Sequence, residues 1–474
     1  MICTPLLVFF LICAGNPIDP PAGVGPVPTP QQIAWNQMEY YAFIHFNMNT
    51  FTGKEWGDGT EDPALFAPSA LDCRQWTRLC KAAGMKGIIL TAKHHDGFCL
   101  WPSRYTQHSV KNSPFRKGRG DVLRELSEAC REQGLRLGIY LSPWDRHEPS
   151  YGDSPQYNEH FKNQLREVLT SYGEVFEVWF DGACGEGPNG KRQVYDWQGF
   201  VDVVRECQPN AIIFSDGGPD VRWVGNEDGS AGETNWSLLR RDEVYPGYPK
   251  YQELTSGHSN GTHWVPAECD VSIRPGWYYS ARQDTEVKTL KQLIEIYFSS
   301  VGRNANLLLN IPVDRRGLIH ENDAHRLLEL RSYVENAFSR DLLRDATVVA
   351  SQVRGNNDRF AATNLTDGRF ETYWCTDDTT TRCVLDFVLD GAIPLSCVMI
   401  QEYIPLGQRV ERFSIELKGT EKWEEVARGT TIGYKRLLRF PEQTATHLRL
   451  NILASRGCPV LSGVSAFRLP RSND

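Results

Sequence analysis

No two of the thirteen cysteines are spaced as a CxxC pair, which removes zinc ribbons and thioredoxin-like redox motifs from consideration. No run of Lys and Arg reaches the density of a nucleic-acid patch. The formal charge is −8, so neither nucleic acid nor another polyanion is an expected partner. HxH and HExxH motifs are absent, which leaves a catalytic metal without its usual signature. No glycine-rich turn follows the first apolar run, as a doubly wound nucleotide-binding sheet would require. The one membrane-like stretch, Leu6–Leu7–Val8–Phe9–Phe10–Leu11–Ile12, is too short to span a bilayer. With 41% hydrophobic and 23% charged residues, the chain also lacks the composition of a disordered protein.

What is present starts at the N-terminus. The short apolar run is followed by the small residues Cys13–Ala14–Gly15 and reads as a secretory h-region, although Met1–Pro5 carries no positive charge. Residues 1–15 are therefore expected to be a signal peptide and the protein to be secreted or periplasmic. Residues 16–30 hold six prolines and read as a linker. Cys80, Cys130 and Cys207 lie on apolar patterns and are expected as small core residues. Asn235, Asn260 and Asn364 open glycosylation sequons, which matter only in a eukaryotic secretory pathway.

A length of 474 residues suggests two or three domains. From residue 31 to 339, apolar strand-like runs alternate with amphipathic helical ones. The runs Tyr40–Phe46, Lys86–Ala92, Arg136–Leu141, Val175–Phe180, Ala211–Ser215 and Leu307–Ile311 read as strands. Leu71–Ala83, Asp121–Gln133, Asn158–Ser171, Trp197–Cys207 and Asn322–Phe338 read as helices. His45 to His94 is 49 residues, His94 to Tyr140 is 46 and Tyr140 to Asp181 is 41. Such regular strand–helix units predict a parallel sheet with helices outside, and about 300 residues suit eight of them closed as a (β/α)8 barrel. From 340 to 474 short alternating runs appear without a long helix, which predicts an antiparallel β-sandwich.

In such a barrel, chemistry sits where the strands end at their C-terminal face. The polar residues found there are His45, His94, His95, Tyr140, Asp145, Asp181 and Asp216. Their consistency after apolar runs points to an enzyme. Adjacent His94 and His95 would point opposite ways on an extended strand, which disfavours a metal. Glycoside hydrolysis suits the set better. It needs two carboxylates, hydrogen-bonding side chains for hydroxyls and aromatic faces for the sugar ring. Trp56, Trp101, Trp144, Trp179, Trp223, Trp236 and Trp277 fall in or near the expected loops.

Several segments are then recognisable. His45–Phe46–Asn47–Met48–Asn49–Thr50–Phe51 with Glu55–Trp56 resembles the first-strand segment of family 29 glycoside hydrolases, the α-L-fucosidases. Lys93–His94–His95–Asp96–Gly97–Phe98, Gly138–Ile139–Tyr140–Leu141–Ser142, Trp179–Phe180–Asp181–Gly182 and Asn306–Leu307–Leu308–Leu309–Asn310–Ile311–Pro312 resemble its later signatures, in order, over residues 35–335. Asn47 departs from the glycine common after HF in that family.

The resemblance implies roles. Asp181 would be the nucleophile, forming a glycosyl-enzyme intermediate. Trp223–Val224–Gly225–Asn226–Glu227 resembles the acid/base loop of the branch that cleaves α-1,3 and α-1,4 linkages. Glu227 is thus the expected acid/base, with Glu233, Glu243, Glu253 and Glu268 as competitors. Retention places the two carboxyls about 5–5.5 Å apart. His45, His94 and His95 resemble hydroxyl-binding residues, and a bend or strand end must let both adjacent imidazoles reach the sugar. Glu55, Trp56, Tyr140 and Trp179 resemble further contacts. Arg222 is expected near the nucleophile, and Trp277 against the apolar 6-methyl face of fucose.

The C-terminal segment, through Ala361–Arg369 and Thr372–Tyr373–Trp374, resembles a discoidin-like (coagulation factor 5/8 type) module. Such modules can bind sugars and can hold a structural calcium; otherwise no cofactor is implied. The expected function is a retaining exo-α-L-fucosidase acting on fucosylated oligosaccharides or glycoconjugates. The alternatives are a non-catalytic fucose-binding protein on a degenerate barrel and a metal-dependent hydrolase.

Overall fold

A computed structural model describes residues 18–419 and 421–471. Residues 1–15, read as a signal peptide, lie outside the described residues. Eight parallel strands close into a barrel: β1 (Tyr40–Ile44), β2 (Gly87–Lys93), β3 (Arg136–Leu141), β4 (Val175–Trp179), β5 (Ile212–Ser215), β6 (Val221–Trp223), β7 (Ala267–Ser272) and β8 (Ala305–Asn310). Closure pairs β8 with β1, Tyr40 opposite Leu307 and Phe43 opposite Asn310, so no edge is left unpaired. One set of alternate residues fills the lumen, among them Tyr41, Phe43, Ile89, Tyr140, Trp179, Phe214 and Leu308. Ala42, Ile44, Ile88, Leu90, Ile139 and Val178 belong to the separate core under the helices. Burial on both faces explains why most of these strands read as continuous apolar runs.

The outer layer contains α1 (Pro30–Asn36), α2 (Met48–Thr52), α3 (Cys73–Ala82), α4 (Val122–Gln133), α5 (Ser154–Ser171), α6 (Trp197–Cys207), α7 (Leu290–Ser299) and α8 (Glu321–Phe338). Asp72, Asp121 and Asp196 cap α3, α4 and α6 by accepting from backbone N–H groups of the first turn, and Gly134 ends α4 at φ 69°.

The expectation of eight repeating strand–helix units needs correcting. β5 runs into β6 through the short turn 216–220, and β6 reaches β7 through residues 224–266 without an α-helix. That long connection supplies its own apolar contacts. Leu239, Val244, Leu254 and Val265 form one small core, and Trp236, Leu238 and Trp264 pack against Ile404 of the C-terminal domain.

After α8, seven antiparallel strands form the sandwich: β9 (Thr347–Ala350), β10 (Trp374–Cys375), β11 (Cys383–Glu402), β12 (Val410–Lys418), β13 (Trp423–Gly429), β14 (Arg436–Ser455) and β15 (Val460–Phe467). β11 and β14, each 20 residues long, pair with register shifts between Val388 and Ile393 and between Leu395 and Cys397. Their bends fold the strands around a core containing Leu385, Phe387, Val398, Ile400, Phe413, Leu450 and Val464.

The proline-rich stretch read as a linker is a strap on this sandwich over its described part. Val24 N donates to Leu406 O at 3.0 Å, Arg354 Nε to Asp19 O at 2.8 Å and Arg409 to Ala22 O, while Pro21 and Pro28 are buried. Proline suits such a strap, because it fixes an extended φ and brings no N–H to satisfy. No helix among the described residues is long and apolar enough to cross a membrane. The eleven described cysteines are all free.

Candidate active site

The strand ends at the C-terminal face of the barrel surround a pocket of about 170 Å3. It is lined by Phe43, His45, Trp56, His94, His95, Tyr140, Trp179, Asp181, Ala183, Glu227, Asp270 and Trp277. A second cleft, about 410 Å3, opens beside it and shares Trp179, Asp181, Ala183, Glu227 and Asp270. Asp216, Trp223, Tyr248 and Tyr251 line the cleft alone. The carboxyl groups of Asp181, Glu227 and Asp270 thus stand at the junction of both spaces.

β2 ends at Lys93, and a turn closed by Gly97 N donating to His94 O at 3.0 Å follows it. Because the strand has stopped, the adjacent imidazoles are not thrown to opposite faces. Their ring centroids lie 4.1 Å apart. Gly97 has φ +80°, and an added Cβ would lie 2.3 Å from the Asp145 carboxylate, so the turn accommodates only glycine. Asn47 has an extended φ of −158° and therefore has no need of glycine. Its side chain caps α2 and donates to Phe98 O at 3.2 Å, tying the first loop to the second.

Each imidazole is buried and neutral. Burial pushes His45 down to about 3, and burial with the neighbouring histidines pushes His94 well below its usual value. Burial also lowers His95, against the opposing pull of Asp181. Hydrogen bonding assigns two tautomers. Asn310 Nδ2 donates to Ser272 Oγ and to Trp277 O, both at 2.9 Å, so its Oδ1 accepts from His45 Nδ1 at 2.8 Å. Ser142 Oγ donates to Trp144 O at 2.8 Å and accepts from His95 Nδ1 at 2.7 Å. Nε2 of both rings is left as an acceptor, and that of His95 lies 3.8 Å from Asp181 Oδ2.

Asp181 follows β4. Its Oδ2 accepts from Tyr140 OH at 2.9 Å and its Oδ1 from Ala183 N at 2.8 Å, which fixes its orientation. Trp179 stacks on Phe214 at 4.0 Å and donates to Glu268 Oε1 at 2.8 Å. Trp56 is 58% exposed and stands edge-on to His95 and Trp144 at the rim.

Glu227 alone among the five glutamates weighed for the acid reaches the pocket. Glu268 is sealed in the barrel, accepting from Trp179 and Tyr41. Glu233 faces solvent beside Arg303, Glu243 pairs with Arg240, and Glu253 accepts from Tyr248 OH. Burial raises the Glu227 carboxyl above its usual range; the Trp277 Nε1 hydrogen bond at 3.3 Å opposes this, and the Asp181 charge adds to it.

Two expected contacts lie elsewhere. Arg222 is fully buried and points out of the barrel rather than toward Asp181. Its guanidinium donates to Leu254 O at 3.0 Å, to Asn235 Oδ1 at 2.8 Å and to Val265 O. The reason is strand alternation. Trp223 takes the inward position on β6 and donates to Asp270 Oδ1 at 2.8 Å, so its predecessor must face outward. Glu55 sits behind Trp277, whose backbone N donates to Glu55 Oε2 at 3.0 Å, and does not line the pocket. Of the sequons, Asn235 is buried and fully bonded, Asn364 donates to Arg359 O and Tyr373 O, and Asn260 is exposed.

Phe43 and Asp270 belong to the pocket but were not singled out from the sequence. Asp270 was legible in principle, since Ala267–Ser272 alternates Glu268, Asp270 and Ser272 on one face. Burial, then the charges of Glu227 and Glu268, hold the Asp270 carboxyl well above its usual range. Among the described residues, no group of three His, Cys, Asp or Glu side chains is placed to hold a metal ion.

Comparison with known proteins agrees with this chemistry. The alpha-L-fucosidase family model matches residues 25–337. Alpha-L-fucosidase 1 of Arabidopsis thaliana is 43% identical over 451 residues, 94% of this chain and 88% of the plant protein. The crystal structure of SpGH29 superposes with a TM-score of 0.91 at 38% identity, covering 95% of this chain and all of that one. A Ruminococcus gnavus GH29 fucosidase in complex with fucose superposes at 0.88 with 33% identity, covering 97% and 98%. A closed parallel barrel, a pocket with paired carboxylates at its C-terminal face and a family match over most of the barrel lead to one conclusion: the chain belongs to the alpha-L-fucosidase family of glycoside hydrolases.

Proposed function

We propose that this enzyme is a retaining exo-α-L-fucosidase that releases terminal fucose from α-1,3/1,4-branched glycans of Lewis type. The observation that carries the reading is that Asp181, held by Tyr140 OH and Ala183 N, shares one pocket with Glu227, whose carboxyl burial raises, among buried imidazoles. Asp181 attacks the anomeric carbon as the bond to the leaving oxygen breaks, and Glu227 gives that oxygen its proton. Water then attacks the same carbon, Glu227 takes the water's proton, and the bond to Asp181 breaks to free fucose with its configuration retained. Nε2 of His45 and of His95 accept from sugar hydroxyls, and Trp277 and Trp179 offer apolar faces to the ring and its methyl group.

The linkage preference rests on the WVGNE segment and on the wide neighbouring cleft, which has room for a branched leaving group. The test is fucose release from a Lewis-type trisaccharide and an aryl α-fucoside by wild type, Asp181→Ala and Glu227→Ala. Expected are efficient release from the trisaccharide, weak release from the aryl fucoside, and losses on the trisaccharide of about 10²–10⁴-fold for Glu227→Ala. Asp181→Ala should abolish turnover of both. No release by wild type from either would favour a fucose-binding protein. An aryl fucoside cleaved with Glu227→Ala almost unchanged on both would place the acid elsewhere.

A further inference from the structure

Glu227 lies on the irregular segment that follows β6, yet it must hold its carboxyl at the scissile bond. The segment is anchored on the barrel side by Val224 N donating to Glu268 O at 3.0 Å and by Trp223 on Asp270. A few residues beyond Glu227 the chain meets the sandwich. Gln408 is fully buried there, and its amide clamps the loop backbone from both sides. Ser237 N donates to its Oε1 at 2.7 Å, and its Nε2 donates to Asn235 O at 3.0 Å. Thr431 Oγ1 accepts from Asn235 N at 2.9 Å. The Asn235 side chain closes the circuit, accepting from Arg222 and donating to Arg303 O at 2.8 Å and Asn304 O at 3.1 Å.

Arg222 has no carboxylate in its shell; burial lowers its pKa to about 9, and all three acceptors are uncharged oxygens of the 224–266 connection. A buried cation so arranged is costly unless every acceptor stays in place. The network therefore resists displacement of the loop that carries the acid. Apolar packing reinforces it, through Trp236, Leu238 and Trp264 against Ile404.

Resting on the assignment of Glu227 above, we infer that the C-terminal sandwich is a positioning element for the acid/base: Gln408 and Thr431, through Asn235 and Arg222, hold the Glu227 segment in register with Asp181. Gln408 and Thr431 are positioning residues, since neither lines the pocket or its neighbouring cleft. The role separates the sandwich from a mere packing partner. Loosening the clamp should slow formation of the glycosyl-enzyme when the leaving group needs a proton and spare it when the leaving group does not.

The experiment compares full-length wild type, Gln408→Ala, Thr431→Val and Glu227→Ala on two substrates. One is a fucosylated trisaccharide, whose leaving oxygen must be protonated. The other is α-L-fucosyl fluoride, whose fluoride leaves without a general acid. Gln408→Ala is expected to lose about tenfold or more in kcat/KM on the trisaccharide, as small misplacements of catalytic groups do, with kcat/KM on the fluoride, which reports only the step up to the glycosyl-enzyme, within about threefold of wild type. Thr431→Val removes one hydroxyl from a retained side-chain shape and should show a smaller loss in the same ratio. It carries the test if Gln408→Ala does not fold. Equal losses on both substrates, or no loss on either, would overturn the clamp. A Glu227→Ala enzyme whose kcat/KM falls equally on both substrates would instead refute the acid assignment, and the clamp with it.

Discussion

At the scale of single residues, burial sets the chemistry. Burial is the main cause that lowers the three pocket histidines, and neighbouring cationic or imidazole groups add to it. At Glu227 opposing influences meet: burial and the Asp181 charge favour the acid form, and the Trp277 indole N–H favours the carboxylate. Trp277→Phe keeps a ring face and removes that donor. The Glu227 pKa should then rise further, so the alkaline limb of the kcat/KM profile, where the acid loses its proton, moves to higher pH. An alkaline limb that stayed in place or moved to lower pH would contradict the hydrogen bond as drawn. The motifs KHHDGF and WFDG made His94, His95 and Asp181 legible in the sequence, because each residue lies within a few positions of its strand end. They carried no information on the tautomers, which depend on Ser142 and Asn310 from other strands.

At the scale of elements, β2 is bolted to its neighbours by a buried ion pair. Lys93 Nζ lies 3.0 Å from Asp145 Oδ2 in the loop after β3 and donates to Gln164 on α5 at 2.9 Å. Burial pushes the Asp145 carboxyl up, but Lys93 overrides it and holds the group at about 2. A carboxyl depressed on folding adds stability above its unfolded pKa, and that stability is lost as pH falls through the folded value. Lys93→Met strands the carboxylate, at an expected cost of about 3–5 kcal/mol near neutral pH. The gap from wild type should narrow on acidification, as Asp145 takes up a proton in the variant. Urea unfolding of both proteins at neutral and mildly acidic pH measures this, and a gap independent of pH would contradict it. Six barrel strands were legible as apolar runs. β6 was missed because three residues give no period, and β7 because Glu268 and Asp270 interrupt its hydrophobicity. In the barrel lumen those carboxyls are satisfied by Trp and Tyr donors from other strands.

At the scale of the molecule, the two domains are knitted through the 224–266 connection, the region where the barrel lacks helices. Lys435 pairs with Glu39, Arg439 with Glu295, and Leu437 N donates to Gly302 O at 2.9 Å. A barrel ending at residue 339 would expose Trp236, Leu238 and Trp264 and leave the Asn235 backbone without Gln408 and Thr431. It is expected to aggregate, as read by size-exclusion chromatography beside the full chain. A soluble monomeric barrel with full trisaccharide activity would show that the interface is dispensable.

The sequence by itself determined the barrel, the sandwich and most of the residues that line the pocket. Those features are local: an apolar run makes a strand, and a polar residue at its end faces the barrel mouth. Only the tertiary structure decided which of five glutamates stands with Asp181, that Arg222 turns outward, and that the proline-rich strap and the Glu227 segment are both held by the sandwich. Those outcomes rest on bonds between distant segments, such as Ser237 to Gln408 across 171 residues, and no local pattern encodes which distant group will satisfy a buried donor.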